Sequence, residues 1–261
     1  THIYSFDLSG IPVILMQEDL AIIHEGDTVG VVGSRQRDIL FLQQLLTFLE
    51  CLTMKIIAYM GSPRTKGLCA QFTESALKGA TSAGAEVKQY NLVKYSIKYC
   101  RGCYKCVYNN HDLPIGICPL KDDMAAILKE YLDADGYIMA SPVYDFTVPA
   151  VMKAFIERRF PMFFKTKGER GVPDARVKQH FKKKASLIAT GSAGDEYAAI
   201  ADPCFEVMSG HFMLEEIDTV DQLYVGLIHN VDEVRYKEKM DETFNMGVRL
   251  VQAINDSRKE E

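Results

Sequence analysis

The 261-residue chain is long enough for one large domain, or for one domain with a small appended module. Its 48% hydrophobic and 25% charged residues are typical of a globular protein with a sizeable core. The formal net charge of −5 argues against a nucleic-acid-binding protein, since such proteins usually carry a basic excess. No apolar run is long enough to span a membrane, and the N-terminus lacks the pattern of a secretory leader. We therefore expect a cytoplasmic protein with no membrane partner.

Residues 1–53 are predicted to form a small N-terminal α+β extension. Short apolar segments at residues 11–17, 19–24 and 28–32 are separated by turn residues and predict strands. Residues 37–52 predict a helix that is apolar on almost every face, and such a helix must be buried on more than one side. The extension carries no motif that indicates a function.

From Met54 onward, short apolar segments alternate with amphipathic ones. Strands are predicted at residues 54–60, 84–92, 136–141 and 185–190, with a fifth within 214–227. Helices are predicted at residues 68–81, 121–134, 149–160 and 232–255. This alternation is typical of a five-stranded parallel sheet with helices on both faces. Ligands of such sheets bind beyond the carboxyl ends of the strands, so the loops that follow the strands are the candidate site.

The loop Gly61-Ser62-Pro63-Arg64-Thr65-Lys66-Gly67 joins the first of these strands to a helix. The start of a helix exposes unpaired backbone N–H groups and carries partial positive charge, which favours an anion. Ser62 adds a hydroxyl and Arg64 a guanidinium to such a site. The alternative is a tight connection without a ligand. The loop lacks the Gly-Lys-Ser/Thr ending of a nucleoside-triphosphate loop.

A second loop, Ser141-Pro142-Val143-Tyr144-Asp145-Phe146, follows the third predicted strand of this unit. Tyr144 and Phe146 offer aromatic surface against which a flat ring could pack. Alternatively, these aromatic side chains seal the core or a subunit contact. A third loop, residues 191–194, is rich in glycine and follows the next strand. A phosphate site beside an aromatic site indicates a mononucleotide cofactor.

Four cysteines, Cys100, Cys103, Cys106 and Cys118, fall within nineteen residues. A chain of this size does not need a disulfide framework, so crowded cysteines suggest metal or redox chemistry in a reducing compartment. Thiolates at this spacing suit an iron–sulfur cluster. Zinc and free thiols are the competing interpretations.

At these motifs the chain resembles the NAD(P)H-dependent FMN reductases and iron–sulfur flavoproteins of the flavodoxin-like superfamily. The shared motifs run in the same order over about residues 54–256. They are Gly61-Ser62-Pro63-Arg64, the cysteine cluster, Asp122-Asp123-Met124, Ser141-Pro142-Val143-Tyr144, Lys153 and Glu157-Arg158. The resemblance implies a flavodoxin-like, doubly wound α/β fold for residues 54–261.

The resemblance also implies a role for each loop. Ser62 and Arg64 would hold the FMN phosphate, together with the backbone N–H groups of Gly67, Leu68 and Cys69. The residues bordering the isoalloxazine would be Pro142, Val143, Tyr144, Asp145 and Phe146. Gly191, Ser192 and Gly194 would close its pyrimidine side. Two departures stand out: Leu68 and Cys69 replace the usual Asn and hydroxyl residue, and the gap before Cys118 is longer than in the iron–sulfur flavoproteins.

The predicted function is FMN-dependent oxidoreduction, with electrons passing from NAD(P)H through FMN to a small acceptor such as a quinone or a flavin. No catalytic side chain is expected, because the cofactor supplies the redox chemistry. The alternative is an electron carrier that takes electrons from a ferredoxin through a [4Fe-4S] cluster on the four cysteines to FMN. A third hypothesis is a regulatory module with a vestigial nucleotide pocket.

We also expect a homodimer or homotetramer, because large exposed apolar surfaces usually mark interfaces. This prediction depends on the apolar helix at residues 37–52 and on a set of aromatic residues placed near the flavin loop. These are Tyr144, Phe146, Phe160, Phe163 and Phe164.

Overall fold

The computed structural model describes the strands of residues 2–6, 20–25 and 28–33, and residues 54–109, 111–178, 181–229 and 232–259. The chain divides into two compact units, Thr1–Thr53 and Met54–Glu261. The strand predicted at 11–17 and the helix predicted at 37–52 lie outside the described residues. Across the described ranges, no helix combines the length and the apolar character that a membrane crossing needs.

The first unit contains a three-stranded antiparallel sheet. Its strands are β1 (His2–Phe6), β2 (Leu20–Glu25) and β3 (Thr28–Gly33), with β3 in the middle. Strands β2 and β3 match the predicted ones within two residues. Strand β1 was not predicted from the sequence.

The described residues of the second unit form seven strands: β4 (Lys55–Met60), β5 (Glu86–Asn91), β6 (Gly136–Pro142), β7 (Phe163–Phe164), β8 (Asp174–Ala175), β9 (Lys183–Thr190) and β10 (Ile217–Val225). Five of them form a parallel sheet in the order β10-β9-β6-β4-β5, and β7 pairs with β8 antiparallel. This is the strand order of a flavodoxin-like doubly wound sheet, so the predicted fold class is confirmed.

In the same described part of the chain, six helices accompany these strands: α1 (Leu68–Ser82), α2 (Lys105–Tyr108), α3 (Met124–Asp133), α4 (Ala150–Glu157), α5 (Asp202–Ser209) and α6 (Glu233–Lys259). The four predicted helices correspond to α1, α3, α4 and α6. Helices α2 and α5 were not predicted. Short 3-10 turns occupy residues 92–94, 160–162, 195–201 and 212–215.

The core lies on both faces of the parallel sheet, because successive side chains of a strand point to opposite faces. Ile57 and Tyr59 of β4 pack on the side covered by α3, α4 and α5. Ile56 and Ala58 pack on the other side, against α1 and α6. The continuous apolar run of β4 is thus explained by burial on both faces.

Helices α1 and α6 cross at a pair of glycines. A Cβ on Gly79 would lie 1.9 Å from the Phe244 carbonyl oxygen, and a Cβ on Gly247 would lie 1.9 Å from that of Ala76. The two backbones can approach this closely only because neither glycine has a side chain. This crossing holds α1 in place, and the N-terminus of α1 forms part of the candidate site.

A buried ion pair lies on the opposite face, between the end of α4 and the turn before β10. Arg159 Nη2 donates to Glu215 Oε1 at 2.8 Å, and the side chains are 0% and 5% exposed. The Tyr131 hydroxyl also donates to Glu215, and the Arg159 guanidinium lies 5.0 Å from the Tyr131 ring centre. Because both charges are removed from water, each is stabilised in the core chiefly by its partner, and loss of one would leave the other buried without compensation.

Candidate functional site

The three predicted loops meet at the carboxyl edge of the sheet. The Gly61 N–H donates to the Ala140 carbonyl at 2.8 Å, which joins the loop after β4 to the end of β6. The Val143 N–H donates to the Thr190 carbonyl at 2.8 Å, which joins the loop after β6 to the end of β9. All thirteen residues predicted to contact the cofactor therefore lie in three adjoining loops or at the ends of the elements that these loops join.

The loop after β4 is organised by its own backbone. The Ser62 hydroxyl accepts from the Arg64 N–H at 3.1 Å, and the Gly67 N–H donates to the Arg64 carbonyl at 3.1 Å. Ser62 is buried, whereas the Arg64 side chain is exposed. The Gly67 N–H is thus already engaged within the loop, which leaves the first turn of α1 as the source of free backbone donors.

Helix α1 begins after Gly67 without a side-chain cap, and its first turn contains no acidic residue. The first N–H groups of a helix have no partner within it, so this end favours an anion. Burial raises the pKa of the Cys69 thiol to about 12, so the thiol is neutral and adds no negative charge. Leu68 is partly buried and contributes only its backbone. The start of α1 can therefore hold a phosphate through Leu68 and Cys69 N–H groups, with Arg64 free to reach it.

The loop after β6 contains a tight turn of residues 144–147. The Tyr144 N–H donates to the Thr147 carbonyl at 2.8 Å, and the Thr147 N–H donates back at 3.0 Å. Asp145 and Phe146, the central residues, have φ values of 47° and 63°, a left-handed conformation that is unusual for side chains other than glycine. The turn presents Tyr144 and Phe146 to solvent, 44% and 63% exposed, while Pro142 is buried at the end of β6. Exposed aromatic rings held by strained backbone are a feature of binding sites.

The loop after β9 is fixed by contacts with β10 and α6. The Tyr224 hydroxyl donates to the Ala193 carbonyl at 2.9 Å, and a Cβ on Gly191 would lie 2.4 Å from that hydroxyl oxygen. Asp195 accepts from the Gly226 N–H and pairs with Arg235, each at 2.8 Å. Although burial opposes the charge, these contacts hold the pKa of Asp195 below its usual value. Gly191 and Gly194 are buried and Ser192 is exposed, so a ligand would meet Ser192 and backbone here.

The four predicted metal ligands line one cavity, with aromatic and apolar neighbours that include Tyr104 and Phe160. Cys106 is buried, and its pKa is raised to about 11, first by burial and then by the neighbouring thiols of Cys118, Cys100 and Cys103. The Gly102 N–H donates to Cys100 Sγ at 3.5 Å. The structure thus brings together four cysteines that span eighteen positions of sequence.

The arrangement of the thiols bears on what they could hold. A single metal ion requires its ligands to converge on one point. Among the residues that the structure describes, no three His, Cys, Asp or Glu side chains do so. An iron–sulfur cluster instead takes one thiolate at each iron, so it needs four sulfurs spread around a cavity. Four cysteine thiols at one cavity are a donor set of the kind that a cluster uses.

A second buried ion pair borders the cysteine segment. Arg158 donates to both carboxylate oxygens of Asp122, at 2.5 and 3.0 Å, and to the Lys98 carbonyl at 2.8 Å. The two charged side chains are 2% and 1% exposed. Arg158 follows α4, which begins just after the aromatic turn, and Asp122 precedes α3. The pair therefore connects helix α4 to residues 98–121, the segment that contains the four cysteines. The motifs alone did not reveal this connection.

Comparison with known proteins agrees with this geometry. The family model for NADPH-dependent FMN reductases matches residues 54–216. An iron-sulfur flavoprotein from Archaeoglobus fulgidus is 37% identical over 108 residues, which cover 41% of this chain and 46% of that protein. One from Methanocaldococcus jannaschii is 35% identical over 109 residues, 42% of this chain and 53% of that protein. The chain thus matches about half the length of these curated relatives.

The fold has solved counterparts. The NAD(P)H:quinone oxidoreductase from Methanothermobacter marburgensis superposes with a TM-score of 0.56 at 15% identity, over 76% of this chain and 96% of that one. At that identity the likeness shows the fold alone. The family match, in contrast, extends over more than half of the chain and includes the loop after β4, the cysteine segment and the aromatic turn. The chain therefore belongs to the NADPH-dependent FMN reductase family, a family of flavodoxin-like oxidoreductases.

Proposed function

We propose that this chain is an FMN-dependent oxidoreductase that passes electrons from NAD(P)H through bound FMN to a small acceptor such as a quinone or a flavin. The observation that carries the proposal is the meeting of an uncapped helix N-terminus and an exposed aromatic turn at one edge of the sheet. We place the activity in the cytoplasm, because free thiols persist in a reducing compartment.

Each loop has a distinct task in this proposal. Arg64 and the N–H groups of Leu68 and Cys69 bind the phosphate, while Ser62 holds the loop in shape. Tyr144 and Phe146 flank the flat ring system and limit access of water to it. The loop of Gly191 and Ser192 meets the polar edge of the ring. When bound, FMN supplies the ability to accept hydride and to release electrons, and the protein supplies position and electrostatics.

The direct test is FMN titration of the apoprotein, followed by anaerobic mixing of the FMN-loaded protein with NADH or NADPH. We expect stoichiometric FMN binding and bleaching of the flavin absorbance by one of the two nucleotides. A quinone or free flavin added next should restore the absorbance. A protein that binds no FMN, or whose flavin neither nucleotide reduces, contradicts the reductase function.

Arg64→Ala is expected to weaken FMN binding by about 1.5–3 kcal/mol, the range for a hydrogen bond to a charged group. The measurement is a fluorescence titration with FMN. Lys66→Ala is the matched control, since it removes the same charge from an exposed position of the same loop. Equal losses in the two variants would indicate general electrostatic attraction rather than the proposed phosphate contact.

The cysteine cavity favours a second candidate function, an electron carrier that receives electrons from a ferredoxin through a [4Fe-4S] cluster. The segment of residues 98–121 supports it, since it has four Lys or Arg residues against one acidic residue in a chain of net charge −5. Those four basic residues are exposed and would attract an acidic partner. Reduced ferredoxin should then bleach the flavin at a rate that falls with added salt. Reduction by NAD(P)H alone would favour the reductase.

We further propose that the protein assembles as a homodimer or homotetramer. Tyr144 and Phe146 are exposed enough to contribute to a subunit contact. The prediction that Phe163 belongs to this surface was wrong, because Phe163 is 1% exposed and packs in the core. Sedimentation equilibrium should show a dimer or tetramer for the full chain and a smaller species for a chain that begins at Met54. A full chain that is monomeric contradicts the proposed assembly. If the chain that begins at Met54 has the same oligomeric state as the full chain, the extension has no role in assembly.

A further inference from the structure

The eleven residues between Cys106 and Cys118 form a loop that returns to its starting point. Gly116 lies directly against the Cys106 backbone, where a Cβ would be 2.0 Å from the Cys106 carbonyl oxygen. The Gly116 N–H donates to the Pro161 carbonyl at 2.7 Å. Because Cys118 is only two residues further on, this contact brings its thiol to the cavity that Cys106 lines.

One guanidinium reaches both halves of this loop. Arg176, directly after β8, donates through Nη2 to the Cys106 carbonyl at 2.9 Å and through Nη1 to the Leu113 carbonyl at 3.2 Å. Its Nε donates to the Phe163 carbonyl at 2.9 Å, which attaches the loop to β7. An arginine can make these bonds together because its donors point in several directions, whereas a lysine has a single nitrogen.

Asn109 extends the connection to the cysteine itself. Arg176 Nη2 donates to Asn109 Oδ1 at 3.2 Å, and Asn109 Nδ2 donates to the Ile117 carbonyl at 2.9 Å. Ile117 immediately precedes Cys118. A continuous set of hydrogen bonds therefore runs from Arg176 through Asn109 to the residue before the fourth thiol.

We propose that Arg176 is a positioning residue that closes the Cys106–Cys118 loop and thereby brings Cys118 to the other three thiols. It acts through carbonyl groups and Asn109. The function of this positioning rests on the proposed cysteine site, but the closure of the loop can be tested without any metal.

The first experiment treats the reduced, metal-free full chain with dibromobimane, which joins two neighbouring thiols as each sulfur displaces one bromide. Peptide mapping should identify a Cys106–Cys118 cross-link in the wild type. In Arg176→Gln its yield should fall at least about tenfold, because the variant loses several hydrogen bonds and losing even one to a charged group has about that effect. The Cys100–Cys103 cross-link should stay unchanged, since Arg176 contacts neither of those residues in the described hydrogen bonds.

Three further variants exclude a general loss of structure. Asn109→Ala removes the last link and should reduce the same cross-link, while Arg176→Lys should restore it only in part. Arg170→Gln is the matched control, because Arg170 is an exposed arginine shortly before β8 that does not line the cavity. It should leave both cross-links at wild-type yield. The proposal is overturned if the Arg176→Gln protein retains the Cys106–Cys118 cross-link at wild-type yield. It is also overturned if that protein loses both cross-links equally.

The second experiment reconstitutes the same variants anaerobically with ferrous iron and sulfide, and measures both per chain. If the cysteines hold a cluster, Arg176→Gln should retain it about 10-fold less well than the wild type or Arg170→Gln. A wild type that shows the cross-link but takes up no iron contradicts the cluster and leaves the positioning role supported. A wild type that takes up iron equally with Arg176→Gln overturns the positioning role alone.

Discussion

Replacing any one of Cys100, Cys103, Cys106 or Cys118 with serine is expected to abolish the uptake of iron and sulfide while FMN stays bound. The four thiols line one cavity, and a cluster takes one thiolate at each iron. Each thiol is therefore needed for the whole cluster. The FMN loops lie at the carboxyl edge of the sheet and include none of these four residues, so flavin binding should not change.

The measurement is iron, acid-labile sulfide and flavin content per chain after purification and reconstitution without oxygen. Cys204→Ser is the matched control, because Cys204 is a buried thiol of α5 outside the cavity. It should retain wild-type iron. If the wild type prepared in this way contains neither iron nor sulfide, the cluster is ruled out. Iron retained by one of the four variants would remove that cysteine from the ligand set.

Glu215→Ala is expected to lower the free energy of unfolding by about 3–5 kcal/mol, because it leaves the charge of Arg159 buried without its partner. Arg159 is 0% exposed, so water cannot replace the lost carboxylate without disrupting the core. The Tyr131 hydroxyl would lose its acceptor as well. Urea unfolding followed by circular dichroism measures the difference.

Two comparisons separate the effect of the unpaired buried charge from the effect of shortening a glutamate side chain. Glu157→Ala removes an exposed carboxylate that pairs with Lys153 at 3.0 Å, and should change stability by less than about 0.5 kcal/mol. The double variant Arg159→Met/Glu215→Leu replaces both charges by apolar groups and should recover most of the loss. A loss as small for Glu215→Ala as for Glu157→Ala would show that Arg159 finds another partner.

The sequence alone predicted most of the fold in residues 54–259. Short apolar runs alternate with amphipathic segments over most of this range. The spacing of apolar residues differs between strands and helices, so it identifies the type of element. Strand β4 and helix α1 were predicted within one residue of their observed bounds. The candidate cofactor loops could be placed for the same reason, since a loop between a parallel strand and a helix lies at the carboxyl edge wherever it occurs.

Some elements could not be predicted from the local pattern of apolar and polar residues. Strand β1 and helices α2 and α5 are short, so their periodicity is weak compared with that of the longer elements. The left-handed turn at Asp145 and Phe146 has only a weak local signal, because aspartate tolerates that conformation but phenylalanine rarely adopts it. Its conformation is imposed by the strand and helix that it joins.

The spacing of the cysteines predicted a common site, but only the tertiary structure shows how Cys118 reaches it. The contacts responsible join Arg176 to Cys106 and Leu113, residues separated by 70 and 63 positions. The pairs Arg158–Asp122 and Arg159–Glu215 are separated by 36 and 56 positions, and nothing in the sequence near either residue of a pair indicates its partner. Periodicity determines which backbone forms at each segment, because it depends on neighbours a few residues away. Which distant charges meet depends on how the finished elements pack, and that information is in no local stretch of the chain.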